Sequence, residues 1–147
     1  GRSMEFLKTL KVGSKVEVRQ TLEQEEADKA KHVIGAGPLL VHNGKAYVTA
    51  EEEQFPADIA VGRAPRTAIG LKADGSILLV VAEGRSETSA GLTLNELADY
   101  MVKLGASEAM NFDGGGSSEM VLNRKVVNKP SDGSERPVRA GLGVFRN

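Results

Sequence analysis

Several residue types are missing or scarce in this chain, and each absence narrows what the protein can do. There is no cysteine, which excludes disulfide bridges and thiolate-bound zinc. Tryptophan is absent and aromatic residues make up only 4% of the chain, so the core must be aliphatic. No apolar run is long enough to span a membrane. The formal net charge of −1 argues against a general binder of nucleic acids or anionic membranes, but it leaves room for a local basic pocket.

Glycine, in contrast, is abundant, with 17 residues among 147. Such a content indicates many tight turns between strands. A chain of this length is expected to form a single domain with a buried core, spanning residues 4–147. Gly1-Arg2-Ser3, which precedes Met4, is typical of the residues that an expression tag leaves behind.

Turn signals predict two hairpins. Asn43-Gly44 separates apolar runs at residues 38–41 and 46–48, and Asp74-Gly75 separates runs at residues 68–71 and 77–81. Both dipeptides suit the tight turns that join antiparallel strands. Because the chain has many hairpins and one main helix, we predict an α+β fold, with a mixed or antiparallel sheet on which one amphipathic helix packs.

The helix is predicted at residues 93–104. Thr93 and Glu96 form a capping-box pair, apolar residues recur on one face, and Gly105 supplies a left-handed stop. Further strands are predicted at residues 16–19, 108–112, 120–122, 126–127 and 142–145, a short solvated helix or loop at residues 23–31, and a surface loop at residues 50–62.

The most informative segment runs from Asn111 to Ser118 and reads Asn-Phe-Asp-Gly-Gly-Gly-Ser-Ser. Consecutive glycines carry a large entropy cost, and their N–H groups can approach a ligand closely and form an anion-binding nest. Asp113, at the head of the glycines, could act on that ligand. The segment lacks the lysine of a P-loop and the spaced glycines of a dinucleotide site. The alternative is a tight turn capped by Asp113.

Arginines form a second group of candidates, comprising Arg63, Arg66, Arg85, Arg136 and Arg139. Arg66 precedes a predicted strand and Arg85 follows one, so hairpin pairing brings both to one end of the sheet. Arginine is the preferred planar donor to phosphate and carboxylate groups. The alternative for each is an ordinary surface charge.

Acid–base chemistry in this chain falls to carboxylates. Asp113 and Glu83 each follow a predicted strand and adjoin a glycine, which makes them the candidate pair. His32 and His42 lack metal-ligand spacing and are interpreted as structural or surface residues. A serine-nucleophile triad has no support from the spacing of histidines and lysines.

Six segments, in the same order along residues 35–147, resemble the phosphodiester glycosidase family. They are Gly35-Ala36-Gly37-Pro38-Leu39-Leu40-Val41, Pro65-Arg66-Thr67-Ala68-Ile69-Gly70, Glu83-Gly84-Arg85, the helix start from Gly91 to Ala98, the loop from Asn111 to Ser118, and Asn128 to Gly133 together with Glu135-Arg136-Pro137-Val138. The chain departs from the family at Glu83, where the family has aspartate. It also lacks the N-G-G-F-F-like motif with which family domains usually begin, so we expect either an N-terminally shortened domain or a minimal member of the family.

The resemblance implies hydrolysis of a sugar-1-phosphodiester, such as N-acetylglucosamine-1-phosphodiester, by a site in which Asp113 and Glu83 are catalytic. The residues then expected to bind substrate are Arg66, Thr67, Arg85, Asn111, Gly114, Gly115, Gly116, Ser117, Ser118, Asn128 and Arg136. A divalent cation could bridge Asp113 and the phosphate, although no ligand spacing demands one.

Two other interpretations stay open. One is a non-catalytic module that binds phosphorylated cell-envelope glycans, and the other is a purely structural domain. The expected partner is a small molecule or glycan that carries a sugar phosphodiester, without nucleic acid, and a second copy of the chain could pair at an exposed sheet edge. The resemblance implies an extracellular or cell-envelope location, and the chain contains no signal segment.

Overall fold

The computed structural model describes residues 2–17, 27 and 29–145. The chain divides into two compact units, Gly1–Ile34 and Gly35–Asn147. In the first unit, helix α1 spans Arg2–Thr9, which the sequence patterns did not predict. A turn follows this helix, with the N–H of Ser14 donating to the carbonyl of Lys11 at 2.9 Å.

Two predictions fall partly or largely on residues of this first unit that the structure does not describe. For the strand predicted at residues 16–19, residues 18 and 19 lie outside the described part, and residues 16 and 17 are not in a strand. Most of the helix or loop predicted at residues 23–31 also lies outside the described residues.

The second unit is built on an antiparallel sheet of five strands in the order β2-β1-β5-β3-β4. Its strands are β1 (Leu39–His42), β2 (Lys45–Ala46), β3 (Arg66–Lys72), β4 (Ile77–Ala82) and β5 (Ala106–Asn111). A separate two-stranded ribbon pairs β6 (Val121–Leu122) with β7 (Lys125–Val126). The predicted α+β fold with an antiparallel sheet is therefore confirmed, and β5 runs through the middle of that sheet.

Both predicted hairpins form. The turn at Asn43-Gly44 joins β1 to β2, and the turn at Asp74-Gly75 joins β3 to β4. Asn43, Gly44 and Gly75 all have positive φ values, of 51°, 72° and 84°. Asparagine and glycine tolerate this region better than other residues, which explains why the sequence signal was reliable here.

The predicted main helix is present as α3 (Leu94–Lys103), with Thr93 as its N-cap. The Thr93 side chain accepts a hydrogen bond from the N–H of Glu96, and the Glu96 side chain accepts one from the N–H of Thr93, which completes the capping box. Gly105 follows the helix with a φ of 88°.

One face of α3 packs on the sheet and forms the core. The fully or almost fully buried apolar residues are Leu40, Val41, Ala50, Ala68, Leu94, Leu97, Ala98, Met101, Ala106 and Ala109. Gly70 in β3 permits the close approach, since a methyl group there would lie 2.6 Å from Met101 Cε. Packing of this kind anchors β5, and the glycine-rich loop begins directly after β5.

Two expectations for the second unit were wrong. Residues 50–62 were predicted as a loop, but a turn there is followed by helix α2 (Ala57–Val61), which begins after Pro56, a favourable residue at a helix start. Residues 142–145 were predicted as a strand, but they pair with no strand in the described part of the chain, and Phe145 is 88% exposed. Apolar alternation alone does not make a strand where no partner strand lies alongside.

Candidate functional site

The glycine-rich loop is positioned by β5, whose last residue is Asn111. The N–H of Asn111 donates to Pro38 at 3.0 Å, and its carbonyl accepts from the N–H of Gly37 at 2.8 Å. The N–H of the next residue, Phe112, donates to Thr67 in β3 at 2.8 Å. The chain is thus held on both sides up to the residue that precedes Asp113.

Within the loop, the glycines make close contact with the chain ahead of β3. The N–H of Gly115 donates to the carbonyl of Pro65 at 2.9 Å, and a methyl group at Gly114 would lie 2.8 Å from that same oxygen. Gly115 has a φ of +60° and begins a 3₁₀ turn, Gly115–Ser117. Because the N–H of Gly115 is already bonded, it is not available as a phosphate donor. The N–H groups of Gly114 and Gly116 have no hydrogen-bond acceptor among the described residues.

The loop forms one wall of a cleft of about 780 Å³, which we call the main cleft. The residues that line it are Gly35, Ala36, Gly37, Phe55, Asp58, Ile59, Arg63, Ala64, Arg66, Arg85, Asn111, Phe112, Asp113, Gly114, Gly115, Gly116 and Arg136. A volume of this size is sufficient for a small ligand. Eight of the predicted site residues therefore share one cleft.

Arg66 lines the main cleft but is only 4% exposed. Its Nε donates to the carbonyl of Leu92 at 3.0 Å, and its Nη2 donates to the carbonyls of Ile59 and Gly62 at 3.0 and 2.7 Å. Burial, and next the positive charge of Arg85, hold the pKa of Arg66 below its ordinary value. Most of this guanidinium therefore binds the protein's own backbone, and only Nη1 is left without an acceptor among the described residues.

Among the arginines of the main cleft, Arg85 has the fewest partners within the described residues. It is exposed, has a φ of 56°, and has no ion-pair partner within the described ranges. Its Nη1 would lie 3.2 Å from a methyl group placed at Gly115, so its guanidinium lies against the glycine loop. Arg136 lies against Gly116 in the same manner, but its Nε and Nη2 both donate to Asp132. Arg63 is paired with Glu96.

The two predicted catalytic carboxylates are not in the same cleft. Asp113 lines the main cleft and is exposed, and no hydrogen bond or ion pair among the described residues engages its carboxylate. Glu83 lines a different, smaller cleft with Ser89 and Tyr100. Its Oε1 accepts a hydrogen bond from the backbone N–H of Lys129 at 2.6 Å. The structure therefore gives no support to the pairing of Asp113 with Glu83.

Sequence reasoning missed two residues of the main cleft, Phe55 and Asp58. Both lie in the stretch that was interpreted as a surface loop, at and just before helix α2. Asp58 is exposed and, like Asp113, has no partner among the described residues. The helix signal after Pro56 could have drawn attention to them, but nothing in the local pattern shows that α2 borders the glycine loop.

Four of the predicted substrate-binding residues do not line the main cleft. Ser118 is 2% exposed, and its hydroxyl accepts a hydrogen bond from Thr67 at 3.2 Å. The Asn128 side chain donates to the carbonyl of Ser118 at 3.1 Å and accepts from the N–H of Met120 at 2.7 Å. Ser117 lies in the 3₁₀ turn. The hydrogen bonds of Thr67, Ser118 and Asn128 therefore stabilise the conformation of the loop.

Asn111 lines the main cleft and carries an unsatisfied acceptor. It is 5% exposed, and its Nδ2 donates to the carbonyls of Gly37 and Phe112 at 2.9 and 2.8 Å. Because two carbonyls fix the position of the nitrogen, the amide orientation is determined. Its Oδ1 is buried without a hydrogen-bond partner. Buried polar atoms of this kind are uncommon and call for a ligand or an ordered water.

Metal-ligand clusters and membrane-spanning helices are both absent from the described residues. No cluster of three or more histidine, aspartate or glutamate side chains there is arranged to hold a metal ion. None of the described helices has the length and apolar character that crossing a membrane requires. The bridging cation therefore stays a prediction.

Comparison with known proteins gives a consistent result. A family model for phosphodiester glycosidases matches residues 4–145. The prophage-derived uncharacterized protein YomE of Bacillus subtilis is 39% identical over 109 residues, which is 74% of this chain and 16% of that protein. Human N-acetylglucosamine-1-phosphodiester alpha-N-acetylglucosaminidase is 36% identical over 103 residues, which is 63% of this chain and 20% of that enzyme. The chain thus spans a fifth or less of the length of these relatives.

Two solved structures also match. A hypothetical protein from Synechocystis aligns with a TM-score of 0.62 and 35% identity, over 69% of this chain and 19% of that one. The catalytic domain of zebrafish N-acetylglucosamine-1-phosphodiester alpha-N-acetylglucosaminidase, auto-inhibited by its pro-peptide, aligns with a TM-score of 0.57 and 25% identity, over 67% of this chain and 34% of that one.

Proposed function

The chain belongs to the phosphodiester glycosidase family, and from this premise we propose that its main cleft hydrolyses a sugar-1-phosphodiester. The products are the free sugar and a phosphomonoester. The observation that carries the proposal is that the carboxylate of Asp113 and the guanidinium of Arg85 line one cleft, and that neither has an ion-pair partner among the described residues. N-acetylglucosamine-1-phosphodiesters are the first substrates to test, because the human relative is named for that linkage.

The phosphate end of the substrate is assigned to Arg85, Arg136 and the glycine loop. Arg85 has no counter-ion among the described residues, and Arg66 has its pKa lowered partly by the charge of Arg85. A bound phosphate would compensate both positive charges. Phosphate is a weakly basic leaving group, so positive charge and N–H donors near its oxygens stabilise the transition state more than a proton donor does.

Asp113 is assigned to the anomeric carbon. It takes the proton from an attacking water or attacks the carbon itself; in both courses the bond from C1 to the phosphate oxygen breaks, and its electron pair goes to the phosphate. When water attacks, its oxygen becomes the new sugar hydroxyl and one of its protons goes to Asp113. When Asp113 attacks, a glycosyl ester forms, and in a second step water cleaves that ester: the oxygen of the water becomes the sugar hydroxyl and one of its protons goes to the released carboxylate. Exposure of the carboxylate to the cleft supports this role.

The test is release of N-acetylglucosamine from a chromogenic sugar phosphodiester, measured with and without a chelator. Asp113→Asn should lower turnover by about 10²–10⁴-fold, the range expected for losing an acid–base group. Asp99→Asn, an exposed carboxylate on α3 away from the main cleft, is the control and should keep full turnover. Full activity of Asp113→Asn would contradict the assignment, and loss of activity with chelator would support a bridging cation.

A second function uses the same cleft without hydrolysis, as a binding module for phosphorylated cell-envelope glycans. The position of Glu83 favours it, since one of the two expected catalytic carboxylates is bonded to Lys129 outside the main cleft. Binding of the sugar phosphodiester without turnover by the unsubstituted chain would support this function. An extracellular or cell-envelope location is part of both proposals.

A further inference from the structure

We infer that Phe55, Asp58 and Asn111 form the sugar subsite of the main cleft, so that the substrate lies with its sugar at this end and its phosphate at Arg85. The inference rests on the proposed function, because it assigns one half of the same cleft. It adds two residues, Phe55 and Asp58, that the sequence patterns did not single out.

Two of the three residues, Phe55 and Asn111, meet at Gly37. A methyl group at Gly37 would lie 3.1 Å from Phe55 Cζ, so the ring lies directly against this glycine. The side chain of Asn111 donates to the carbonyl of the same residue at 2.9 Å. Asp58 follows Phe55 by three residues, in the first turn of α2. All of them line the main cleft.

Helix α2 is held at the cleft wall by Arg66. Two of the three hydrogen bonds from this guanidinium go to the carbonyls of Ile59 and Gly62, within and just after the helix. A short helix of five residues has little stability of its own, so this attachment determines where Asp58 is presented. Arg66 is therefore a positioning residue for the carboxylate, with most of its donors used by the backbone.

The hydrogen-bond acceptors at this end suit the hydroxyl groups of a sugar. The Oδ1 of Asn111 is an unsatisfied acceptor, and the carboxylate of Asp58 is an acceptor and an anion. A phosphodiester has no N–H or O–H group to donate to them, and its charge is repelled by Asp58. Sugar hydroxyls donate hydrogen bonds, and the apolar face of a sugar ring can lie on the half-buried ring of Phe55.

The order of residues along the loop gives the same orientation. Asn111 lies beside Gly37, Gly115 lies beside Arg85, and Asp113 stands between them in the chain. A substrate with its sugar at Phe55 and its phosphate at Arg85 therefore places the anomeric carbon, which joins the two, in the region of Asp113.

The experiment measures the two halves of the substrate separately. The full chain is titrated, by NMR, with the methyl glycoside of N-acetylglucosamine and with inorganic phosphate. Asp58→Asn should weaken the glycoside about tenfold, the loss expected for a hydrogen bond to a charged acceptor, and leave phosphate binding unchanged or tighter. Arg85→Met should show the reverse pattern, and Asp99→Asn should change neither affinity.

Two variants test the role of the Phe55 ring without emptying its position. Phe55→Leu keeps most of the apolar volume but removes the ring, and it should weaken glycoside binding severalfold. Phe55→Tyr keeps the ring and should bind like the parent. A melting curve for each variant shows that the fold is retained.

The inference is overturned if the parent binds no glycoside, or if Asp58→Asn and Phe55→Leu leave the glycoside affinity unchanged or reduce phosphate affinity equally. Selective loss of the glycoside supports it even if the parent turns over no phosphodiester, in which case the proposed hydrolysis alone fails.

Discussion

Removal of the Arg66 side chain should destabilise the fold, in contrast to removal of the Arg85 side chain. Arg66→Met takes away three hydrogen bonds to backbone carbonyls, from a guanidinium that is only 4% exposed. Each hydrogen bond from a charged donor contributes about 1.5–3 kcal/mol, but such contributions are not additive. Each buried carbonyl left without its donor costs about 1–3 kcal/mol, so we expect a decrease of about 3–5 kcal/mol in the free energy of unfolding.

The assay is urea denaturation followed by far-UV circular dichroism, with inorganic phosphate titrated into each folded variant. Arg85→Met is the matched control, since it removes an exposed guanidinium without ion-pair partners in the described part of the chain. Its free energy of unfolding should stay within about 0.5 kcal/mol of the parent while its phosphate affinity falls. If Arg66→Met unfolds within about 1 kcal/mol of the parent, the structural role given to its three hydrogen bonds is wrong.

Three further changes follow from local contacts. Thr93→Ala removes the N-cap acceptor of α3 and should lower the free energy of unfolding by about 1 kcal/mol. Gly114→Ala puts a methyl group 2.8 Å from the carbonyl of Pro65 and should cost about 1–3 kcal/mol, with loss of phosphate affinity as the loop moves away. The pKa of Glu108 lies below its ordinary value of 4.5, chiefly because the N–H of Asn43 donates to it, so its contribution is present above that pH and is lost as the pH falls below it. Glu108→Gln should flatten the dependence of stability on pH in this acidic range.

Thr93→Ala and Gly114→Ala each have a control in the same protein. Asn95→Ala on α3 should not lose stability, and Gly141→Ala, where a methyl group would meet nothing within 4 Å, should be neutral. Stability that is independent of pH below 4.5 would contradict the part assigned to Glu108. An unchanged midpoint for Thr93→Ala would show that the capping box contributes little here.

The fold of the second unit was largely predictable because its signals are local. The turn at Asn43-Gly44 needs positive φ values, and the capping box at Thr93 needs two residues at fixed spacing, so each can be read from a few neighbours. The strand expected at residues 142–145 failed for the opposite reason. A strand depends on a partner, and that partner cannot be inferred from the segment itself.

The predictions for the candidate site also divide into those that depend on local sequence and those that depend on long-range contacts. The glycine loop is recognisable from its composition, so Asp113 and the three glycines were predicted as site residues from the sequence. The environment of Glu83 depends on Lys129, which is distant in sequence and donates to its carboxylate. The location of Asp58 in the main cleft depends on the hydrogen bonds by which Arg66 holds helix α2. These are long-range contacts, and residue type and spacing along the chain carry no information about them.

The attachment of Gly37 to Asn111 affects how much conformational entropy is lost when a ligand binds. Backbone and side-chain hydrogen bonds tie Gly37 and Pro38 to the end of β5, although neither residue belongs to a strand. The amide of Gly37 should exchange with solvent as slowly as those of the sheet, so this wall of the main cleft is rigid before any ligand arrives. Association at that wall loses little conformational entropy, and ordering on binding is concentrated at the exposed side chains of Arg85 and Asp113.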